Sequence, residues 1–305
     1  MSERSLSRPG LRAAAIDAPT GAKRVVADYV ELTKPKVQSL LLLTTIATMY
    51  VAGNPSALLV IFTCLGGYLS AGGAGAVNHW FDRDIDAKMP RTANRPVPSG
   101  RIKPYAALLF GCSLAALSFV ELALTVNLLA AALSFAGFLG YVLVYTVWLK
   151  RRTPQNIVIG GAAGAVPPLV GWAAVRGDVG GIAVLLFFIV FFWTPPHFWA
   201  LSLLMKNEYE AVEIPMLPVA RGERETRRQI LLYSVLLYAV TQLPFCAGGF
   251  GIPYLVGSLL LGFGFIWGAV RLYRGAQRRQ ALQLYLYSLA YLASLFAVMV
   301  LDAKL

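Results

Sequence analysis

The sequence predicts an all-α polytopic membrane protein, a bundle of nine transmembrane helices around a central cavity. Three observations predict it. Of its 305 residues, 57% are hydrophobic and only 14% are charged, a balance found in chains whose solvent is lipid. From Pro35 onward, apolar segments of spanning length alternate with short polar breaks. The cations are also unevenly placed: 25 of the 27 Lys and Arg fall in alternate breaks, as the positive-inside rule requires. The net charge of +12 thus follows from topology and does not call for a nucleic-acid partner.

Residues 1 to about 30 mix Arg, Ser, Ala, Pro and acids without periodicity or an apolar core, and read as a disordered cytoplasmic tail. The recurring Arg and Ser also fit a mitochondrial transit peptide, against which stand Glu3, Asp17 and Asp28. Residues 31–305 then form one transmembrane domain. Its apolar runs cover about 36–52, 57–81, 104–123, 127–148, 156–174, 181–205, 229–247, 252–271 and 281–302, the first being the shortest. Pro167-Pro168 and Pro195-Pro196 should break or kink the fifth and sixth helices, which membrane proteins tolerate where freed backbone lines a cavity. Gly72, Gly73, Gly75, Gly160, Gly161 and Gly164 offer small faces for close helix approach. Only Arg176 and Lys304 fall on the outer side, so the N-terminus is expected in the cytoplasm of a multi-pass inner-membrane protein, and the C-terminus outside. Cys64, Cys112 and Cys246 lie in apolar runs without a CxxC spacing, which indicates neither disulfides nor zinc.

That orientation gathers three charged loops on one side. The first, NHWFDRDIDAKMPRTANR, spans Asn78 to Arg95. Asn78, Asp82 and Asp86 recur every four residues, so a continuing helix stacks one amide and two carboxylates on one face. Two carboxylates a turn apart repel each other at a membrane boundary unless a cation lies between them. Oxygen donors without Cys or a facing His suit magnesium, which takes one or two carboxylates and completes its shell with water and phosphate. His79 points about 100° away from that face and reads as packing or substrate lining. Arg83, Lys88, Arg91 and Arg95 supply charge for the phosphates. The second loop opens with Lys150, Arg151 and Arg152, cations that topology alone would place there and that a nearby diphosphate would also use. The third carries Glu208, Glu210 and Glu213 and follows the sixth span as the first follows the second, so it could supply a further metal-facing acid. His197, between Trp193 and Trp199 in an apolar run, reads as a ligand, a proton-transfer group or a satisfied structural group. Magnesium and cations at the mouth, with Tyr141, Tyr145, Trp148, Phe192 and Trp193 as aromatic faces, suit ionisation of an allylic lipid diphosphate in a dry interior.

The stretch NHWFDRDIDAKMPRTANRPVPSGRI resembles the first aspartate-rich motif of the UbiA-type intramembrane prenyltransferases. LTKPKV at 32–37, YTVWLKRRTPQNIVIGGAAGAVPPLVGW at 145–172 and FFWTPPHFWALSLLMKNEYEAVEIPMLPVARGERET at 191–226 are similar to its heme-farnesylating branch. The resemblance covers about 32–226 and implies nine spans, transfer of farnesyl from farnesyl diphosphate to the 2-vinyl group of heme B, and magnesium as cofactor. It implies Asn78, Asp82 and Asp86 as holders of magnesium diphosphate, with Arg91, Arg95, Lys150 and Arg151 on the phosphate oxygens. Glu208 stands at the first acid of the second motif; where the superfamily has another acid four residues on, this chain has Val212, so Glu208 alone is assigned to the metal. His197, Tyr145 and Trp193 are expected on the acceptor side, and heme A synthase is the expected partner enzyme. An aromatic acceptor of the quinone pathway shares the aspartate ladder and remains an alternative. So does a transporter or heme-binding protein without catalysis, against which stands the clustering of acids at one face.

Overall fold

The structure, a computed structural model, describes residues 21–305. The first twenty residues of the expected tail lie outside the described residues. Helix α1 (Ala22–Leu32) then occupies the last part of that stretch, turning Asp28 and Leu32 inward and Val25, Val26 and Val30 outward. Asp28 is held by Arg101 at 2.9 Å, a partner 73 residues away that local periodicity cannot show.

Among the described residues, eight helices are long and apolar enough to cross a membrane: α3 (Ala57–Phe81), α5 (Pro104–Thr125), the continuous run Leu128–Leu149, the pair Asn156–Arg176, α9 (Gly181–Leu204), α12 (Gly222–Cys246), α13 (Ile252–Gly275) and α14 (Arg278–Asp302). Helix α2 (Pro35–Ala52) occupies the first predicted span. Its opening turns carry Lys36, Gln38 and Ser39, which shortens its apolar part. Short helices α4 (Arg83–Asp86), α10 (Lys206–Glu210) and α11 (Leu217–Ala220) lie in the charged loops. Helix α12 begins before the predicted apolar run because Glu223 and Glu225 occupy its first turn, where acids favour a helix start.

Two spans depart from regular α-helix. Leu128–Leu139 forms α6, but Gly140–Leu149 continues it in π-helical turns. The fifth span divides as expected into α7 (Asn156–Gly164) and α8 (Val166–Arg176), with Pro167 and Pro168 in the first turn of α8, where no backbone donor is needed. Of the break or kink expected at Pro195-Pro196, no break forms, and α9 runs unbroken through both prolines. Trp193 through His197 are buried, and packing of α9 against α12 and α14 carries the helix across the lost donors.

Glycine sets the closest approaches. A Cβ on Gly73 would meet the Gly111 carbonyl oxygen at 2.6 Å, and one on Gly111 would meet that of Gly73 at 2.8 Å, so α3 and α5 pack backbone to backbone. Gly72 and Gly75 face the segment between α1 and α2, against Thr33 and the Leu32 carbonyl. Gly164, expected on a packing face, has open space beside it. At the opposite end of the bundle Asp302 accepts from the N–H groups of Gly251 (2.7 Å) and Tyr254 (3.0 Å), capping α13.

Replacing Gly111 by Val should therefore destabilise the protein by about 1–3 kcal/mol or more through overpacking. Gly164→Ala should be neutral or slightly stabilising. Thermal unfolding of the detergent-solubilised variants checks both, and equal melting temperatures would refute the backbone contact.

Candidate active site

The helical hydrogen-bond pattern passes through the end of α3 into α4. Asp82 N–H donates to Asn78 O at 2.9 Å and Asp86 N–H to Asp82 O at 2.8 Å, so the four-residue spacing becomes one physical face. Asn78, Asp82 and Asp86 are buried, at 3, 1 and 4% exposure. Buried charge requires a paired counter-charge, and each carboxylate has one. Lys150 Nζ and the Asn78 amide both donate to Asp82 Oδ2, the latter at 2.6 Å. Arg95 donates to Asp86 Oδ2 at 2.7 Å, and Lys34 Nζ to Asn78 Oδ1 at 2.6 Å. Thr146 Oγ1 accepts a longer bond of 3.3 Å from Asn78. Asp84, off this face and exposed, receives two bonds from Arg151 at 2.7 and 2.8 Å, which hold its carboxyl below the usual range. In return they raise the Arg151 guanidinium.

A cavity of about 110 Å³ opens over the ladder. Lys34, Arg91, Arg95 and Lys150 line it, together with Asn78 and Asp86. Tyr141, Tyr145 and Tyr209 contribute aromatic walls, and Ile85, Met89, Ile214 and Met216 the apolar ones. Positive charge exceeds negative, and the cavity already resists it: burial, reinforced by Arg95 and Lys150, lowers the Lys34 ammonium to about 7. A multivalent anion would relieve that excess. Burial also raises the Tyr209 phenol. The π-helical turns matter here, since Lys150 N–H reaches back five residues to Tyr145 O at 2.9 Å, the register shift of a π-helix. It brings Tyr141, Tyr145 and Lys150 to the same cavity. Tyr145 lies on Gly160, where a Cβ would sit 2.4 Å from Cδ2 of the ring.

Of the predicted site residues, Asn78, Asp82, Asp86, Arg91, Arg95, Tyr145 and Lys150 come together here. Arg151 supports the ladder from behind, 3.6 Å from Asp82 Oδ1, bonded to Phe81 O at 2.9 Å and lying 4.8 Å over the Phe81 ring. Glu208 lies beyond Arg91, at 3.7 Å. Arg83 folds onto Trp80, bonding its carbonyl at 2.7 Å, while Lys88 and Trp148 are exposed. His79 is buried, with Nδ1 unpartnered. His197 and Trp193 form a separate cluster on α9: the His197 ring stacks on Trp193 at 4.3 Å and Tyr285 at 4.9 Å. His197 Nδ1 shares a 2.6 Å hydrogen bond with Ser288 Oγ, and Trp193 Nε1 donates to Ser288 O at 2.8 Å.

Sequence reasoning missed Lys34, Thr146 and Tyr209. Lys34 carried a signal: Pro35 excludes the helical region for the residue before it, and Lys34 takes a left-handed φ of 53° at the start of α2. Thr146 and Tyr209 are placed by the π-helical turns and α10, which apolar periodicity does not encode.

Among the described residues no three His, Cys, Asp or Glu side chains are grouped closely enough to hold a metal by themselves. Asp82 Oδ1 is nevertheless buried without a hydrogen bond. A carboxylate oxygen that has only the distant Arg151, at 3.6 Å, fits a hard ion whose remaining ligands come from a phosphate.

A buried acid and amide ladder beneath a cationic pocket, at one end of an apolar helical bundle, defines an integral-membrane protein whose charged end carries an anion-attracting cavity. The same bundle occurs in the solved structure of a digeranylgeranylglyceryl phosphate synthase, with a TM-score of 0.76 and 21% identity over 92% of this chain and 99% of that one. It also occurs in a UbiA homologue from Archaeoglobus fulgidus bound to GPP and Mg2+, with a TM-score of 0.62 and 16% identity over 89% and 99%. The UbiA prenyltransferase family model matches residues 41–295, and the chain belongs to that family. It is similar to the protoheme IX farnesyltransferase of Chloroflexus aurantiacus, 54% identical over 92% of this chain and 48% of that protein. It is similar also to that of Marinobacter nauticus, 52% identical over 96% and 98%. The chain thus spans about half the length of the first relative and nearly all of the second.

Lys34 lines the cavity, and an anion bound there would restore its ammonium charge and gain a charge-assisted hydrogen bond, of the kind worth about 1.5–3 kcal/mol. Lys34→Gln should therefore weaken binding of a prenyl diphosphate about tenfold or more, read by calorimetric titration. Unchanged affinity would remove Lys34 from the site.

Proposed function

We propose that this chain transfers the farnesyl group of farnesyl diphosphate to a vinyl group of heme B, giving heme O, in a magnesium-dependent reaction. The observation that carries the reading is the buried Asn78, Asp82, Asp86 face beneath Lys34, Arg91, Arg95 and Lys150. The names of relatives more than 50% identical over most of the chain support heme as the acceptor.

The diphosphate would sit in the cationic cavity. Lys34, Lys150, Arg91 and Arg95 would neutralise the charge that grows on it as the allylic C–O bond ionises. Asn78, Asp82 and Asp86 would hold magnesium, which supplies further charge neutralisation of the leaving group when bound, while Glu208 stands apart from them on Arg91. Tyr141 and Tyr145 present π-faces beside the cavity, where an allylic cation is stabilised. Ile85, Met89, Ile214 and Met216 keep bulk water from capturing that cation. The electron-rich vinyl carbon would attack it once diphosphate has left, and water would then capture the resulting cation beside the porphyrin and lose one proton to solvent, leaving a hydroxyethylfarnesyl group. His197, stacked between Trp193 and Tyr285, would contact the acceptor. By the distribution of Lys and Arg, the charged end faces the cytoplasm of the inner membrane, where heme A synthase would receive the product.

Membranes containing the protein, incubated with heme B, farnesyl diphosphate and magnesium, should yield a more hydrophobic, farnesylated heme detectable by mass. Its absence where a relative gives product would reject the reading. Asp82→Asn and Asp86→Asn should each abolish turnover while the protein still inserts, and near-normal conversion by either variant would sink the metal assignment. His197→Ala should raise the heme concentration needed for half-maximal rate more than it lowers the maximal rate; an unchanged heme titration would end that role.

A further inference from the structure

A second cavity, of about 470 Å³, lies at the same end of the bundle between the end of α9, α10 and the adjoining ends of α12, α13 and α14. Its volume falls within the range of small-molecule sites, roughly 300–1,000 Å³. One wall is apolar, with Leu203, Leu204 and Leu272, and the other is charged. Glu223 there is shared by Lys206 at 3.3 Å and Arg227 at 3.6 Å. Arg227 Nε is buried without a hydrogen-bond partner. Arg278, also on the wall, makes no ion pair among the described residues. The remaining acid, Glu208, is engaged by Arg91, which lines the first cavity, so the two cavities adjoin across that pair.

The charge count identifies the occupant's chemistry. With Glu208 assigned to Arg91, three cations share the single carboxylate of Glu223, leaving an excess of two positive charges beside an apolar wall. Two carboxylates on an apolar body would cancel that excess and satisfy Arg227 Nε. We propose that this cavity binds the two propionate carboxylates of the porphyrin acceptor through Lys206, Arg227 and Arg278, with the macrocycle against Leu203, Leu204 and Leu272. The assignment rests on the heme reading above and adds the residues that would orient the acceptor beside the diphosphate. Ala281 lines this cavity, and one turn further along α14 Tyr285 stacks on His197, so the aromatic cluster lies deeper along the same helix.

The test uses the purified full-length chain in detergent, titrated with heme B and with heme B dimethyl ester, whose propionates are masked, and followed by the Soret band. Heme B should bind the wild type at least tenfold more tightly than the ester. Arg227→Gln and Arg278→Gln should each remove most of that difference, leaving ester binding and farnesyl diphosphate affinity within about twofold of the wild type. Arg278 is exposed, so its substitution leaves the fold intact and carries the test even where Arg227→Gln unfolds, as melting temperature reports. Equal binding of heme B and its ester, or wild-type heme affinity in Arg278→Gln, would overturn the proposal. Heme B that binds as expected but is never farnesylated would defeat the transferase reading and leave the cavity assignment standing.

Discussion

The structure depends on burying two carboxylates one helical turn apart at the end of an apolar bundle. Asp82 and Asp86 are almost fully enclosed, and leaving either charge unpaired there would cost about 3–5 kcal/mol. The chain meets that requirement with Arg95 from the loop after α4 and Lys150 after the π-helical turns, while Lys34 ahead of α2 bonds the Asn78 amide of the same face. None is local to its partner in the helical sense. The ladder therefore forms only when the charged end of the whole bundle assembles, which couples the site to the fold.

Small residues make that assembly possible. Gly72 and Gly75 let the segment between α1 and α2 lie against α3, and this contact delivers Lys34 to Asn78. Gly160 admits the Tyr145 ring, and the π-register places Lys150 on Asp82. A side chain at either place would displace a contact of the buried ladder without touching it, so these glycines act on the candidate site through packing distance.

The sequence made the ladder legible because its spacing matches the helical period and the helix continues from α3 through α4, even though an apolar run ends there. The cation-rich loops were legible because lipid segregates charge by side. Helix breaks were only half legible: Pro167-Pro168 begin a new helix, whereas Pro195-Pro196 sit inside α9, held by burial against α12 and α14. Lys34 and the π-helical turns escaped notice because their placement is decided by contacts tens of residues away. His197 stood out as an ionisable group in an apolar run, but its partner Ser288, 91 residues distant, could not be read from its neighbourhood.

Exposure separates the ion pairs into those that hold the site and one that can exchange. The Asp82 side chain is 2% exposed and Lys150 14%, so their separation is opposed by desolvation. Arg91 and Glu208 are 50% and 33% exposed and stand 3.7 Å apart, an arrangement worth about 0–1 kcal/mol. Arg91 can therefore leave Glu208 at little expense, and Glu208 Oε2 has no hydrogen bond to retain it. This pair stands where the two cavities adjoin, so the charge of one is linked to the charge of the other through a weak contact, with no helix required to move.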